Sequence, residues 1–302
     1  MTYCHGFRMP TAAMILATVF WASSWVANKS VLPFIGPAET VTVRFTLAAL
    51  ALWALVMLSG DLRDMRRVGF RPLLMGLLEP GLAGLLITWG LTMTSALSAT
   101  VFLSLMPVLM PLLGRLVLGE AVRPVIYLAA AIAFVGTALL LWGQAGHGGG
   151  SAWGNFIVAL GVLTLCLNQL LARRVAQAYG RPVVVSAWQL TAAAALALLV
   201  MLTVERPADP YAGADAVVWS SLAYIAIVGT CCTFLLYNYA LRHMPVGRIS
   251  LFVCLITPFS APMAAWYLGT RVTVLDYTAI AIVLAGVLLP SWRTWGLGSE
   301  VE

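Results

Sequence analysis

The apolar positions of this chain gather into long unbroken runs, with neither the one-sided stripe of a surface helix nor the alternation of a half-buried strand. Ten such runs lie near residues 10–28, 38–58, 72–94, 97–118, 124–143, 153–171, 183–204, 216–240, 246–268 and 273–291, separated by turn-forming or charged residues. A helix needs roughly 20 mostly apolar residues to cross the hydrocarbon core of a bilayer, which is about the length of these runs. Barrel strands are shorter and alternate, and an open sheet leaves its backbone unsatisfied in lipid. The pattern therefore predicts an all-α membrane protein with ten transmembrane helices.

The runs also repeat. Span four reads SATVFLSLMPVLMPLLGRLVLGE and span nine GRISLFVCLITPFSAPMAAWYLGT, so both carry PxxxP followed by LG. Pro107 and Pro111 match Pro258 and Pro262 at an offset of 151, and Gly119 matches Gly269 at 150. The next spans match at Gly136 and Gly286, and upstream VRFTLAALAL resembles WQLTAAAALAL, setting Arg44 opposite Gln189. Matches in the same order at a nearly constant offset indicate a duplication of five helices. An odd number of spans sends the second copy into the membrane from the opposite face, giving two inverted-topology five-helix repeats, an arrangement of secondary transporters. The expected division is 1–144 for the first repeat, 145–151 for a Gly-rich extracytoplasmic linker and 152–302 for the second.

Composition agrees with this picture and sets orientation. Of 302 residues 62% are hydrophobic and 9% charged, against about 25% charged in a soluble domain. The net charge of +6 sits in short loops without interleaved aromatics, so nucleic acid is not an expected partner. Cytoplasmic loops carry the excess of Lys and Arg. With the N-terminus inside, the inner set is Arg8, Arg63, Arg66, Arg67, Arg71, Arg115, Arg123, Arg173, Arg174, Arg181, Arg242, Arg248 and Arg293, against Lys29, Arg206 and Arg271 outside. Both termini are expected in the cytoplasm. The five cysteines show no metal-like spacing, so no metal and no cofactor is expected. The three histidines lie in loops or at a span end, with no HExxH or GxSxG motif, so the chain is not expected to be an enzyme. A bilayer and a small-molecule substrate are the expected partners, without an obligatory protein partner.

The ten spans, the PxxxP and LGE of span four with its weaker copy in span nine, the Arg44-Phe45 pair and the WASSWVANK end of span one together resemble the drug/metabolite transporter superfamily. Within it the chain is similar to EamA-type exporters, including aromatic and broad amino-acid exporters of bacterial inner membranes. That resemblance covers nearly the whole chain and implies export of small metabolites, foremost amino acids including aromatic ones, through a central cavity opened alternately to either face. The same fold also serves exporters of drugs and other cationic hydrophobic compounds. Thr270 stands where Glu120 stands in the first copy, and span six lacks a Trp opposite Trp21.

Two ionisable residues, Arg44 and Glu79, lie well inside spans, where a charge is costly and marks a functional hypothesis. Glu79 precedes Pro80 and Gly81, so its helix is expected to lose a backbone bond there and bend. Its carboxylate suits a substrate ammonium or a proton, and the guanidinium fork of Arg44 suits a carboxylate. Counted from the inner turn, Arg44 lies about 20 Å up and Glu79 about 10 Å, which gives them separate partners. Pro107, Pro111, Pro258 and Pro262 are candidate helix breaks or gates, with Pro80. Trp21, Trp89, Phe102, Trp188, Tyr224 and Tyr237 are candidates to stack on a substrate side chain. Ser24 and Asn168 are candidate polar contacts, and Asn28, Gln169 and Asn238 are polar enough to join them.

Overall fold

A computed structural model describes residues 8–31, 34–60, 68, 71–93, 106–143, 151–179, 181–205, 209, 211–212, 214–268 and 274–295. Among these residues the regular structure is helical, without a strand. The helices are α1 (Arg8–Val31), α2 (Pro37–Leu58), α3 (Arg71–Gly76), α4 (Ala83–Met93), α5 (Met106–Leu118) and α6 (Pro124–Gly143). They continue as α7 (Ala152–Tyr179), α8 (Pro182–Val200), α9 (Ala216–Ala226), α10 (Thr233–His243), α11 (Val246–Val253), α12 (Ile256–Leu268) and α13 (Val274–Trp295). Three π-helical segments, Leu77–Leu82, Met201–Glu205 and Ile227–Cys232, join α3 to α4, extend α8 and join α9 to α10.

Six stretches among the described residues are long and apolar enough to cross a membrane: Met9–Asn28, Ala38–Leu58, Ala152–Tyr179, Pro182–Glu205, Ala216–His243 and Val246–Tyr267. Large apolar side chains such as Leu58, Leu116 and Trp266 stand exposed on helix surfaces, as lipid-facing positions do. The chain is an all-α, multi-span membrane protein.

The described chain packs as two compact units, residues 1–85 with 167–243 and residues 86–166 with 244–302. In the first, α8 packs against α2, α3 and α10, and α1 against α9 and α10. In the second, α6 packs along α13 and α5 along α11. Without a hydrophobic force between helices in lipid, close packing at small residues holds such elements together. Gly136 of α6 approaches α13 so closely that a Cβ there would lie 2.8 Å from the backbone nitrogen of Val283. Gly286 of α13 reciprocates, its Cβ position lying 2.8 Å from the nitrogen of Ala133.

One sequence expectation needs revision. The hydropathy run of span six ends near residue 171 and leaves Arg173 and Arg174 to the inner connection, whereas α7 runs on to Tyr179 and Arg173 is buried in it, donating from Nη1 to the Leu241 carbonyl. A cation serving the last turn of α10 completes carbonyls that the helix itself leaves open, so the charge belongs to the helix pair. Residues 97–105 of span four lie outside the described residues, and its described part is α5 from Met106. Phe102 and linker residues 145–150 lie outside the described residues, as does the side chain of Trp89.

Candidate functional site

Span three is interrupted in its middle. Glu79 has φ −145° and ψ 128°, an extended conformation between helical neighbours. A residue before proline is pushed toward this region, and Pro80 supplies no N–H. The Glu79 carbonyl thereby leaves the helical ladder, and a buried carbonyl must be paired elsewhere. Gln189 of α8 meets it, donating from Nε2 at 3.1 Å. Gly76 lets α8 come so near, since a Cβ on it would lie 1.9 Å from the Gln189 backbone oxygen.

The polar groups around this break form one directional chain. A carbonyl only accepts, so Gln189 turns its NH2 to Glu79 and its Oε1 the other way. That oxygen accepts from Asn238 Nδ2 of α10 at 3.2 Å, and the same nitrogen donates to Ser186 Oγ at 2.8 Å. Ser186 passes its own proton to the Phe234 carbonyl at 3.3 Å. On the other side, Asn168 Nδ2 of α7 donates to Glu79 Oε2 at 2.9 Å. Both asparagines thus donate within the protein, Asn238 to two acceptors and Asn168 to Glu79. Their oxygens, together with Gln169 Oε1, are buried without a hydrogen-bond donor. Buried acceptors left open normally find a partner, so these three oxygens are candidate contacts for a donor.

A second interruption, Ile227–Cys232, joins α9 to α10. The wide π turn is stitched by hydroxyls: Thr230 Oγ1 donates to the Ile225 carbonyl and Thr233 Oγ1 to that of Val228, each at 2.9 Å. Arg44 of α2 donates from Nε to Thr230 Oγ1 at 2.6 Å. Arg44 and Glu79 therefore have separate partners. Thr230 and Asn238 are eight residues apart along the chain, about 12 Å at helical rise, so the Arg44 contact lies away from the Asn238 end of the Glu79 chain.

The other candidates fall into groups. The Trp21 ring of α1 packs against Phe234 (centroids 6.1 Å) and Tyr237 (5.2 Å), forming an aromatic cluster on α10 within a few residues of Asn238. Trp188 stands edge-on to Trp53 at 5.1 Å, with its buried Nε1 lacking an acceptor. Ser24 is buried against Gly229, whose Cβ would lie 2.4 Å from Ser24 Oγ, so Ser24 serves this helix contact. Tyr224 is 41% exposed and donates to Ser23 Oγ at 2.8 Å, apart from the Glu79 chain. Pro107 and Pro111 are buried in α5. Pro258 and Pro262 lie in α12, which is parted from α11 at Cys254 and Leu255.

Comparison with known proteins shows the family. The model of the EamA-like transporter family matches residues 9–142 and again residues 152–292. The chain belongs to the EamA-like transporter family. Relatives of this EamA-like chain include a protein named "Uncharacterized transporter YyaM" from Bacillus subtilis, 22% identical over 91% of this chain and 90% of its own length. Another is a "Probable terminal-alkyne amino-acid exporter" from Streptantibioticus cattleyicolor, 27% identical over 96% of each. A solved protein crystal structure shares the fold, with a TM-score of 0.82 at 19% identity over 96% of this chain and 99% of that one.

Several polar residues of this EamA-like chain were not singled out by sequence. Glu39 is buried in the first turn of α2, where its Oε2 accepts from the Gly36 N–H at 2.5 Å and its Oε1 from that of Tyr211 at 2.7 Å. Glu205 Oε2 accepts from the Ala38 N–H at 3.1 Å. A helix start favours carboxylates, and the GPAE run at 36–39 carries that signal. Glu120 of the LGE motif accepts from the Val246 N–H at 3.1 Å at the start of α11, after Gly119 turns the chain at φ 68°. Ser186 carried no signal, because a serine among valines and alanines reads as ordinary span filler.

Proposed function

We propose that this EamA-like transporter exports small metabolites, foremost amino acids including aromatic ones, by alternating access of a central cavity. The observation that carries this reading is the Glu79 carboxylate at a broken helix, with the buried oxygens of Asn168, Gln169 and Asn238 open to a donor. An ammonium supplies three donors and a positive charge, and answers both needs. The Trp21, Phe234 and Tyr237 rings lie beside the chain of amides and suit an aromatic or long aliphatic side chain. Arg44 acts as a further station for the carboxylate. The relative from Streptantibioticus cattleyicolor, whose name calls it an amino-acid exporter, supports the substrate class.

The same proposal takes the fold as ten spans in two inverted repeats, 1–144 and 152–302 about a linker at 145–151. Two facts support it. The interruptions Leu77–Leu82 and Ile227–Cys232 are offset by 150 residues, the offset of the sequence repeat. The reciprocal contacts of Gly136 with Val283 and of Gly286 with Ala133 relate residues by the same 150. Equivalent residues meeting each other's counterparts is the signature of a two-fold relation. In this reading Pro80, Pro107, Pro111, Pro258 and Pro262 mark breaks on which the halves exchange conformation. The chain lies in the bacterial inner membrane with both termini cytoplasmic.

Counterflow of radiolabelled phenylalanine into proteoliposomes loaded with unlabelled amino acid tests the substrate class. The expected result is labelled uptake above empty vesicles that excess amino acid competes away. Flux of a lipophilic cation such as tetraphenylphosphonium, with none for any amino acid, would replace this reading by export of cationic hydrophobic compounds.

A further inference from the structure

Helix α2 starts without a cap of its own. Its N-cap is Gly36, which has no side chain to accept with, and Pro37 takes the first position. The N–H groups of a helix start need acceptors from elsewhere. Glu39 Oε2 turns back to the Gly36 N–H at 2.5 Å, and Glu205, at the end of the π-helical extension of α8, brings its Oε2 to the Ala38 N–H at 3.1 Å. Both oxygens converge on one glycine: a Cβ on Gly36 would lie 2.9 Å from Glu39 Oε2 and 3.4 Å from Glu205 Oε2. The second oxygen of Glu39 accepts from the Tyr211 N–H at 2.7 Å. The Tyr211 hydroxyl donates to Met201 Sδ at 3.6 Å, and its ring lies 5.7 Å from that of Trp219. One cluster thus joins the start of α2, the end of α8 and the chain entering α9.

Two features set this cluster apart from an ordinary capped helix. Tyr211 holds φ 65°, the one positive value at a non-glycine among the described residues. A bulky side chain is strained in the left-handed region, and such residues persist where their surroundings hold them, characteristically at switch regions. The cluster also has no copy in the repeat. Ala38 of α2 meets Glu205, and Trp53 Nε1 of α2 donates to Thr191 Oγ1 at 2.8 Å, so α2 and α8 run antiparallel. They start alike, Pro37 matching Pro182 at the offset of 145 that also sets Arg44 opposite Gln189. At that offset Glu39 falls on Val184 and Glu205 on Gly60, neither of which has a side-chain acceptor. The carboxylate tie made at one end of the helix pair therefore cannot be repeated by the counterpart residues at the other.

We infer that Glu39, Glu205 and Tyr211 form a latch between the outer ends of α2 and α8, one helix from each repeat, which is fastened in this structure and opens when the transporter exposes its substrate to the outer face. Identical inverted copies would give the two facing states equal energies. A tie without a counterpart breaks that balance, so the latch favours the outer-closed state and its loss shifts population toward the outer-open one. A hydrogen bond to a carboxylate is on the scale of a tenfold shift. This inference rests on the inverted-repeat, alternating-access reading above and names the contact that controls the outer face.

The test uses the full chain with its five cysteines replaced by alanine. Ala38 is 5% exposed, so Ala38→Cys in right-side-out vesicles should react slowly with a membrane-impermeant maleimide added outside. Adding Glu39→Gln/Glu205→Gln should speed that labelling about tenfold or more. Glu205→Gln alone, which leaves Glu39 in its cap, should fall between and stands in if the double variant does not fold. A second arm separates a latch from a merely structural cap. Ala38→Cys/Glu205→Cys bridged by a short bifunctional methanethiosulfonate should lose phenylalanine counterflow in proteoliposomes and regain it with dithiothreitol. Counterflow persisting at full cross-linking would overturn the latch, because ends that never part cannot gate. Labelling that is unchanged in the glutamine variants overturns it too, and labelling of Ala38→Cys only in inside-out vesicles would put the tie on the inner face and remove the outer latch. Absence of flux for every amino acid in the unlinked protein removes the amino-acid reading, and the labelling rates then decide the latch by themselves.

Discussion

Glu79 could be found from sequence because a carboxylate inside an apolar run is expensive and has few bland explanations. Asn168 and Asn238 were legible as polar residues within spans, but their link to Glu79 was not. Gln189, Asn238 and Ser186 are ordinary residues for a membrane helix, and only the approach of α8 at Gly76 turns them into one chain ending on the Glu79 carbonyl. The network makes a sharp prediction about Asn168. Asn168→Leu strips the Glu79 carboxylate of its donor and should cost about 1–3 kcal/mol, the penalty for an unsatisfied buried group. The drop in the thermal unfolding midpoint in detergent reads it. In a Glu79→Leu background the same Asn168→Leu change should be nearly neutral, because both partners of the bond are then apolar. Equal costs in the two backgrounds would mean that Asn168 does not serve Glu79. Transport gives an independent reading. Glu79→Gln keeps the shape but not the charge, and should raise the half-saturating concentration for phenylalanine about tenfold or more. Any response of flux to a pH gradient that runs through this carboxylate should vanish with it.

At the scale of elements, what was legible depended on whether the chain announces its irregularities. The break in span three is written in Glu79-Pro80-Gly81, since proline removes a donor and forces the preceding residue out of the helix. The break between α9 and α10 has no proline, and its π turn is completed by Thr230 and Thr233 hydroxyls that look like any others in a span. The extra length of α7 was hidden for another reason: Arg173 read as a loop charge, while in the fold it completes the end of α10. Glycines at crossings were legible only where the repeat exposed them, as at Gly136 and Gly286. Gly76 and Gly229 have equally strict roles. Gly76→Ala puts a methyl 1.9 Å from the Gln189 carbonyl oxygen, a backbone atom that cannot step aside alone. The expected cost is about 3 kcal/mol or more, at the upper end for overpacking, with loss of the monodisperse peak in size-exclusion chromatography. Gly229→Ala meets the Ser24 side chain instead, so the double variant Gly229→Ala/Ser24→Gly should recover much of what Gly229→Ala loses.

For the whole molecule, hydropathy identified an all-α membrane protein, and the family match agrees over nearly the full chain. The compact units each draw on both halves of the sequence, 1–85 with 167–243 and 86–166 with 244–302. No hydropathy profile predicts that partition, because it depends on which helix faces which. It also means that neither sequence half contains a complete helical unit, so neither half expressed alone is expected to transport. The proposed topology is open to a direct measurement. Ten spans return the chain to its starting side, so a fluorescent protein fused after Glu302 should fold and fluoresce in the cytoplasm, and alkaline phosphatase fused there should be inactive. Five spans leave the linker on the other side, so phosphatase inserted at Gly149 should be active. The two readouts divide the alternatives cleanly. Phosphatase activity at Glu302 would require an odd span count or an inverted start, and with the N-terminus cytoplasmic an inactive enzyme at Gly149 would place an even number of spans before it. In the latter case both copies would enter from the same face, and the 150-residue correspondence between the two helix interruptions would express a parallel repeat rather than an inverted one. Exchange of conformations between oppositely oriented halves, the proposed route to alternating access, would then have no structural basis.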